Sequence, residues 1–554
     1  MNVSAISFNG IERKNIDKSQ FSDEDLVLVN YYEIEQVSRG KENRLKIESK
    51  KDQVIEFEFE DGTSWISSLD RIEDVFPELM TTAKRSAGDE IEIPLEISTT
   101  AADRSVVGKI LLRAIKVFFK KTTPKEVKKL ALKLENKQLE ERIGLFRIDP
   151  DFNLSSYIPE VGTKPFLLLI HGTASSVAGS FGNAVNTDFM RYARETYADR
   201  ILAFQHRTLT ENPLQNVKDL IHALPDKCIL HLVTTSRGGL VGEVLSRFCN
   251  SQGAKGGFNE TELAILKREY PGKYFREIEK LLEEINQVLK QKNIVVEKFI
   301  RIACPAGGTN LASKRLDFVL NITLNLIGLA TGIGATPVYN AFRSLTAAVI
   351  GTKNEPDILP GLEVQRPDSP FIKALNCPAD IDNPDGKIMI DNSLVVIAGN
   401  SKVALKISAL WIIASKLFFL RKNDLIVDTN AMALGTRRTG KVLQFFYEDS
   451  NLNHFKYFEN RETNQAILLA LKSEWGKSLP GFTEQPLSVS LAADRNIKFR
   501  PDGGEVMVDK VSGNKPIVML LPGIMGSNLK LEEERLWIKY SKILTGGLAE
   551  LKPE

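Results

Sequence analysis

The stretch Cys228-Ile229-Leu230-His231-Leu232-Val233-Thr234-Thr235-Ser236-Arg237-Gly238-Gly239-Leu240-Val241 constrains this chain more than any other. It opens as an apolar run of strand-forming residues and breaks at Thr235-Ser236-Arg237. Two glycines then lead into an apolar-periodic segment through Val244, Leu245 and Phe248. The pattern predicts a strand, a sharp turn and a helix, with the serine pushed out at the end of a sheet and small neighbours letting the helix pack close behind it. It approximates G-x-S-x-G, with Gly238 as the second glycine and Thr234 in place of the first. A serine hydroxyl is a poor nucleophile at neutral pH. It needs a base to take its proton, a group to orient that base, and amide donors aimed at the developing oxyanion. The stretch therefore makes demands on the rest of the chain.

The 554 residues suggest three or four domains, or fewer if one is a large α/β unit. With 73 Lys and Arg against 71 Asp and Glu, the near-neutral balance gives no reason to expect nucleic acid as a partner. Cys228, Cys249, Cys304 and Cys377 lack paired close spacing, so neither a zinc site nor a disulfide framework is expected, and no metal or organic cofactor is called for. The start, MNVSAISFNGIERKN, has no apolar signal-peptide core, which gives the expectation of a cytoplasmic protein.

Residues 1–121 read as a β-rich domain. Val54 to Glu60 alternates apolar and acidic residues, as a half-buried strand does; Asp61-Gly62 is a turn signal, and Thr63 to Ile66 returns as a hairpin partner. Ile91 to Ile97 repeats the alternation. Val106 to Phe119 reads as a closing helix. In a connector over 122–163, Thr123 as N-cap and Pro124 at the first helical position open a charged helix to about Arg142. The main unit spans 164–475. Pro165 to Ile170 is a short continuous apolar run, as expected for a strand buried on both faces, and His171-Gly172 follows directly. Ile201 to Phe204 is another strand. Strands alternating with helices give the fold class: α/β, with a doubly wound, mostly parallel sheet.

The strand ending in His-Gly, the following strand and helix, and the serine turn together resemble the α/β-hydrolase family, lipases in particular. Cys304-Pro305-Ala306-Gly307-Gly308-Thr309-Asn310-Leu311-Ala312 is similar to a lipase segment, T-P-x-x-G-T/S-x-L-A. The resemblance implies that the oxyanion donors are the backbone amides of Thr173 and Arg237, and that His171 is a loop residue rather than the base. The family's chain order is serine, acid, histidine. Asp424, in Asp424-Leu425-Ile426-Val427, matches a D-x-x-V setting for the acid, with Asp428 as the alternative. Of five histidines only His454 lies beyond Asp424, in a polar loop between the strand Val442 to Tyr447 and the helix Asn464 to Leu471. The implied triad is Ser236, Asp424 and His454. His206 follows a strand and is expected to line the cleft and contact substrate. His222 and His231 read as structural.

Two insertions interrupt the sheet pattern. Residues 251–293 read as a helical insertion over the site. Residues 314–351 carry no charge from Phe318 to Phe342, long enough to span a bilayer on length alone. Asn321, Thr323, Asn325 and Asn340, with Gly332, Gly334 and Pro337, argue against spanning. This segment reads as a cap burying its apolar face over a lipid-binding cleft, or as a packed helical hairpin. Ser393 to Gly399 is a further strand, and Ala404 to Leu420 a helix packed on the sheet. Residues 476–514 read as a linker with short strands. In 515–554, Pro522-Gly523-Ile524-Met525-Gly526-Ser527-Asn528-Leu529 and then Trp537 closely resemble the oxyanion loop of lecithin:cholesterol acyltransferase-like hydrolases. A second hydrolase domain is thus expected to begin here without being completed, and a second polypeptide that completes it is one expected partner. The expected function is hydrolysis of carboxylic esters, lipid-like acyl esters above all, by a serine hydrolase without cofactor. Its partners would be a lipid or small ester substrate and, transiently, a membrane surface. The alternatives are a non-catalytic hydrolase-fold interaction or signalling module, and a peptidase.

Overall fold

The computed structural model describes residues 3–35, 43–76, 90–98, 109–123, 126–156, 158, 162, 164–250, 257–309, 311–312, 316–331, 336–352, 355–377, 390–402, 409–410, 412–413, 422–485, 530–531 and 534–535. Met1–Asp494 form one compact unit and Arg495–Glu554 a second. The tail expected to begin a second hydrolase domain lies outside the described residues apart from two short paired strands, Lys530–Leu531 and Glu534–Arg535. Most of the helix expected over Ala404 to Leu420 lies outside them too.

The first sheet contains β1 (Ala5–Glu12), β2 (Leu26–Ile34), β3 (Arg44–Glu48), β4 (Gln53–Phe59), β5 (Ser64–Ser67), β6 (Glu90–Glu92), β7 (Glu96–Ser98) and β8 (Lys109–Lys120). Its order is β3-β1-β2-β8-β4-β5, with β6 beside β1 and β7 beside β8. The apolar run expected as a closing helix is therefore a strand, and it sits at the centre of the sheet between β2 and β4. Ile110, Leu112 and Ala114 are buried while Arg113 between them is exposed, which is a period of two. From Ala114 to Phe118 every residue is buried, because helices cover the second face as well. That double burial hid the alternation. It also removes the expected half-exposure of β4: Glu56 is buried, with Lys116 Nζ 3.1 Å from its Oε1.

Helix α1 (Val127–Gln138) follows. It starts later than the expected cap at Thr123, whose amide donates to the Glu126 carboxylate at 2.9 Å. The second sheet contains β9 (Gly144–Ile148), β10 (Leu154–Ser155), β11 (Phe166–Ile170), β12 (Ile201–Gln205), β13 (Ile229–Thr235), β14 (Val295–Ile302), β15 (Leu394–Ser401), β16 (Val442–Asp449) and β17 (Thr483–Gln485). Its order is β10-β9-β12-β11-β13-β14-β15-β16-β17. The six strands from β12 to β16 along this path run parallel. The outer strands β9, β10 and β17 are antiparallel. Since β17 pairs with β16, the sheet extends past the expected boundary at 475 into the segment expected as a linker.

Helices α2 (Val177–Phe181), α3 (Asp188–Tyr197), α4 (Pro213–Ala223), α5 (Gly238–Asn250), α6 (Glu260–Glu269), α7 (Gly272–Lys292), α8 (Leu316–Thr331), α9 (Pro337–Val349), α10 (Pro360–Glu363), α11 (Pro370–Leu375), α12 (Thr429–Met432) and α13 (Arg461–Lys472) complete the unit. Alternate residues of β11 feed two cores. Leu167 and Leu169 pack with Phe189 of α3 and Ile467 of α13, whereas Leu168 and Ile170 share a cluster with Leu220 of α4 and Leu240 of α5. The strand is buried on both faces, which is why it reads as a continuous apolar run. Glu243 of α5 accepts from Arg301 of β14 at 2.9 Å and from Arg438 at 2.8 Å, all three fully buried. This cluster ties the helix behind Ser236 to the sheet.

No helix among the described residues is long and apolar enough to cross a membrane. The uncharged segment forms α8 and α9, and its asparagines have a specific use. Ile66 N–H donates to Asn321 Oδ1 at 2.8 Å, and Asn321 Nδ2 donates back to the Ile66 carbonyl at 2.9 Å. Asn325 makes the same pair of bonds to Ser64, at 2.8 and 2.6 Å. The two amides stand where a neighbouring strand would stand and satisfy the edge of β5, whose buried backbone groups would otherwise be unpaired. Trp65, Leu320, Leu345 and Ile170 belong to one continuous core, so the N-terminal sheet shares its packing with the second sheet.

Candidate active site

Strand β13 runs straight into Ser236, whose φ is +52°, in the left-handed region that non-glycine residues enter only under constraint. Two backbone bonds hold the turn: Ser236 N–H donates to the Ile302 carbonyl at 2.8 Å, and Gly239 N–H to the Ser236 carbonyl at 2.9 Å. The glycines are steric requirements. A Cβ on Gly238 would lie 2.4 Å from the Ile170 carbonyl oxygen, and one on Gly172 would lie 2.7 Å from Ser236 Cβ. Thr234, the departure from the glycine pattern, is fully buried. Its room comes from Gly242 on α5, where a Cβ would meet Thr234 Cγ2 at 3.2 Å and the Phe299 ring at 2.7 Å.

His454 lies in the loop between β16 and α13. Its Nε2 is 2.8 Å from Ser236 Oγ and its Nδ1 is 2.7 Å from Asp424 Oδ2. With the Nδ1 proton given to the carboxylate, Nε2 is left to accept the serine proton. The loops are locked together as well, since His454 N–H donates to the Asp424 carbonyl at 2.9 Å. Asp424 Oδ1 accepts the amides of Ile426 and Val427 at 3.1 and 2.8 Å. All three side chains are buried. Of the two aspartates considered from sequence, Asp424 is the one on the imidazole. Asp428 caps the start of α12 through its backbone, its carbonyl accepting from Ala431 at 2.9 Å.

Thr173 follows the His171-Gly172 turn and lines the same cavity as Ser236. Among the described residues neither the Thr173 nor the Arg237 backbone amide donates to a protein acceptor. The Arg237 side chain points away from the cavity. It is fully buried, with Nε donating to the Gly361 carbonyl at 3.2 Å and Nη2 to the Glu211 carbonyl. Burial pulls its pKa down to about 10 against the opposing pull of Glu135 and Glu211.

His206 does not sit where substrate contact was expected. It is buried, stacked on Phe204 at 4.9 Å and against His171 at 4.2 Å, and it is not part of the cavity wall. Its amide donates to His171 Nε2 at 3.1 Å. Burial pushes His171 down to about 4, so this pair is a neutral support under the His-Gly turn. The expected insertion over the site is also placed differently. Helix α7 packs against α4 and α5, and no residue of α6 or α7 lines the cavity.

The cavity beside Ser236 has a volume of about 30 Å³. Val319 and Thr323 of α8 form part of its wall, together with Leu362, Ile426 and Phe458. Residues 319 and 323 are offset by two positions from 321 and 325. At about 100° per residue this puts the two pairs on opposite faces of α8. One face closes the cavity and the other holds the edge of the N-terminal sheet.

Two participants, Tyr457 and Gln365, carried no signal in the sequence reading, and a third, Thr309, lies in the lipase-like segment Cys304 to Ala312. Tyr457 Oη donates to Asp424 Oδ2 at 3.0 Å. Gln365 accepts from Thr173 Oγ1 at 3.2 Å and lines the cavity. Thr309 donates its hydroxyl to the Ile426 carbonyl in the loop that carries Asp424. Of the two without a signal, Tyr457, three residues beyond His454, had a position that could have drawn notice.

Comparison with known proteins adds family membership. Among solved structures, one described as "Est816 as an N-Acyl homoserine lactone degrading enzyme" is 11% identical, with a TM-score of 0.25 over 55% of this chain and 93% of that one. The comparison with curated proteins finds no match. The profile of a domain of unknown function, DUF7379, matches residues 149–258 and 278–472, the span that contains Thr173, Ser236, Asp424, His454 and Tyr457. These two segments make up more than half of the chain, which belongs to the DUF7379 family.

Proposed function

We propose that this protein is a serine hydrolase of α/β-hydrolase fold that cleaves carboxylic esters, with lipid-like acyl esters as its substrates. One observation carries the reading: the buried relay in which His454 lies 2.8 Å from Ser236 Oγ and 2.7 Å from Asp424 Oδ2. Ser236 Oγ attacks the acyl carbonyl as His454 Nε2 takes its proton. The free amides of Thr173 and Arg237 receive the oxyanion. The imidazolium, held by Asp424, gives its proton to the leaving alkoxide, and the C–O bond breaks to leave an acyl-Ser236. Water, deprotonated by the same imidazole, returns the enzyme and releases the acid.

The cavity beside Ser236 is narrow, about 30 Å³. Helix α8, which forms part of its wall, is the cap of this reading. The wall it shares, Val319 with Leu362 and Phe458, offers apolar surface to an acyl chain, with Thr323 beside it.

The test is hydrolysis of p-nitrophenyl esters of increasing chain length by wild type, Ser236→Ala and His454→Ala. The reading expects activity that rises from acetate to longer chains and is lost in both variants. Equal activity in Ser236→Ala and wild type would refute it.

A further inference from the structure

Asp424 Oδ2 has two partners. One is His454 Nδ1 at 2.7 Å; the other is Tyr457 Oη at 3.0 Å, from the same loop three residues on. The other carboxylate oxygen is held by the amides of Ile426 and Val427. The phenol is buried, and its place is reserved. A Cβ on Gly399 of β15 would lie 2.5 Å from Tyr457 Oη and 2.6 Å from Leu452 Cδ2, so a side chain at this position would crowd the hydroxyl.

We propose that Tyr457 is a positioning residue of the relay: by donating to Asp424 Oδ2 it sets the charge that the carboxylate presents to His454. The inference rests on the serine-hydrolase reading. Burial and the Asp424 charge hold the phenol well above its ordinary pKa, so it remains a donor throughout the working range. By donating to Oδ2 it takes up part of the carboxylate charge that would otherwise stabilise the imidazolium. Tyr457 is the titratable side chain that shares Asp424 Oδ2 with His454, and the Asp424 loop carries a second buried carboxylate, Asp428. Met432 Sδ, 3.9 Å from Tyr457 Oη, and the Phe455 ring beside the imidazole are neutral.

The sign of the effect separates this role from simple packing. Loss of the hydroxyl leaves more negative charge on the oxygen facing His454. The imidazolium is then favoured, and the histidine loses its proton only at higher pH. If the ring served only as packing, Tyr457→Phe would keep that packing and the imidazole would titrate where it does in wild type.

The experiment is the rate of covalent labelling by a fluorophosphonate probe as a function of pH, for wild type, Tyr457→Phe and Gly399→Ala. Labelling needs neutral His454, so the acid limb of the profile reports its titration. Tyr457→Phe should move that limb upward by about half a pH unit and lower the plateau rate roughly tenfold. Gly399→Ala, which keeps the phenol but crowds its hydroxyl, should shift the limb in the same direction. An unshifted or downward-shifted limb in Tyr457→Phe, with wild type still labelled and Ser236→Ala unlabelled, overturns this inference alone. A wild type that is not labelled at any pH overturns the serine-hydrolase reading and this inference together.

Discussion

Ser236 Oγ and His454 Nε2 stand 2.8 Å apart although 218 residues separate them in the chain. The pair is brought together by two loops at the carboxyl ends of parallel strands, one after β13 and one after β16, and Asp424 reaches it from the loop after β15. Removal of the serine or the histidine should therefore cost several orders of magnitude in ester turnover without unfolding the protein. Asp424→Asn should cost somewhat less, and Asp428→Asn should stay near wild type. Steady-state kinetics on a p-nitrophenyl ester, with circular dichroism to check folding, measures this. A severe Asp428→Asn beside a mild Asp424→Asn would move the acid to Asp428.

Gly172 offers a test that leaves the relay residues intact. An added methyl group would lie 2.7 Å from Ser236 Cβ and 3.3 Å from its Oγ. Gly172→Ala should push the nucleophile out of line and lower kcat about a hundredfold, as misplacement by about 1 Å can. Its melting temperature should change by only a few degrees. Wild-type turnover in this variant would mean that the serine need not stand where the structure has it.

Asn321 is predicted to be a structural necessity. Asn321→Ala would strip partners from the Ile66 N–H and carbonyl in a buried setting, at about 1–3 kcal/mol for each group. Asn321→Leu, which restores the volume but not the amide, should be equally destabilised in urea unfolding. Stability close to wild type in the leucine variant would show that volume rather than hydrogen bonding holds α8 to β5.

These residues also mark what the sequence could and could not disclose. The strand before Ser236, the His-Gly turn and the loop position of His454 were legible because their signals are local: an apolar run, a glycine, a break. Strand β8 was misread because its inner half is buried on both faces, which erases the period that identifies a strand. The asparagines of α8 were seen as interruptions of an apolar segment, but their partner, β5, lies more than 250 residues away in the chain. Tyr457 and Gln365 depend on where loops meet, and local patterns carry no such information. The expected contact by His206 failed for the converse reason: a residue after a strand can face the cleft or the support beneath it, and the local pattern does not distinguish the two.

Glu363 gives a prediction in pH. Burial pushes its carboxyl up to about 7 from an ordinary value near 4.5, against the opposing effect of the Tyr270 hydroxyl that donates to it at 3.0 Å. The folded state then binds the proton more tightly than the unfolded chain. The stability this contributes is complete below about pH 4.5 and is lost as pH rises through 7, on the order of 3 kcal/mol at most. Glu363→Gln cannot ionise, so its melting temperature relative to wild type should climb between pH 5 and pH 8. A difference that stays constant across that range would contradict the shift.

The most direct test of the central claim is the mass spectrum of the intact protein after treatment with a fluorophosphonate, followed by peptide mapping. The account predicts a single adduct on Ser236, absent from Ser236→Ala and greatly slowed in His454→Ala. An unmodified protein, or an adduct on another residue that persists in Ser236→Ala, would contradict it.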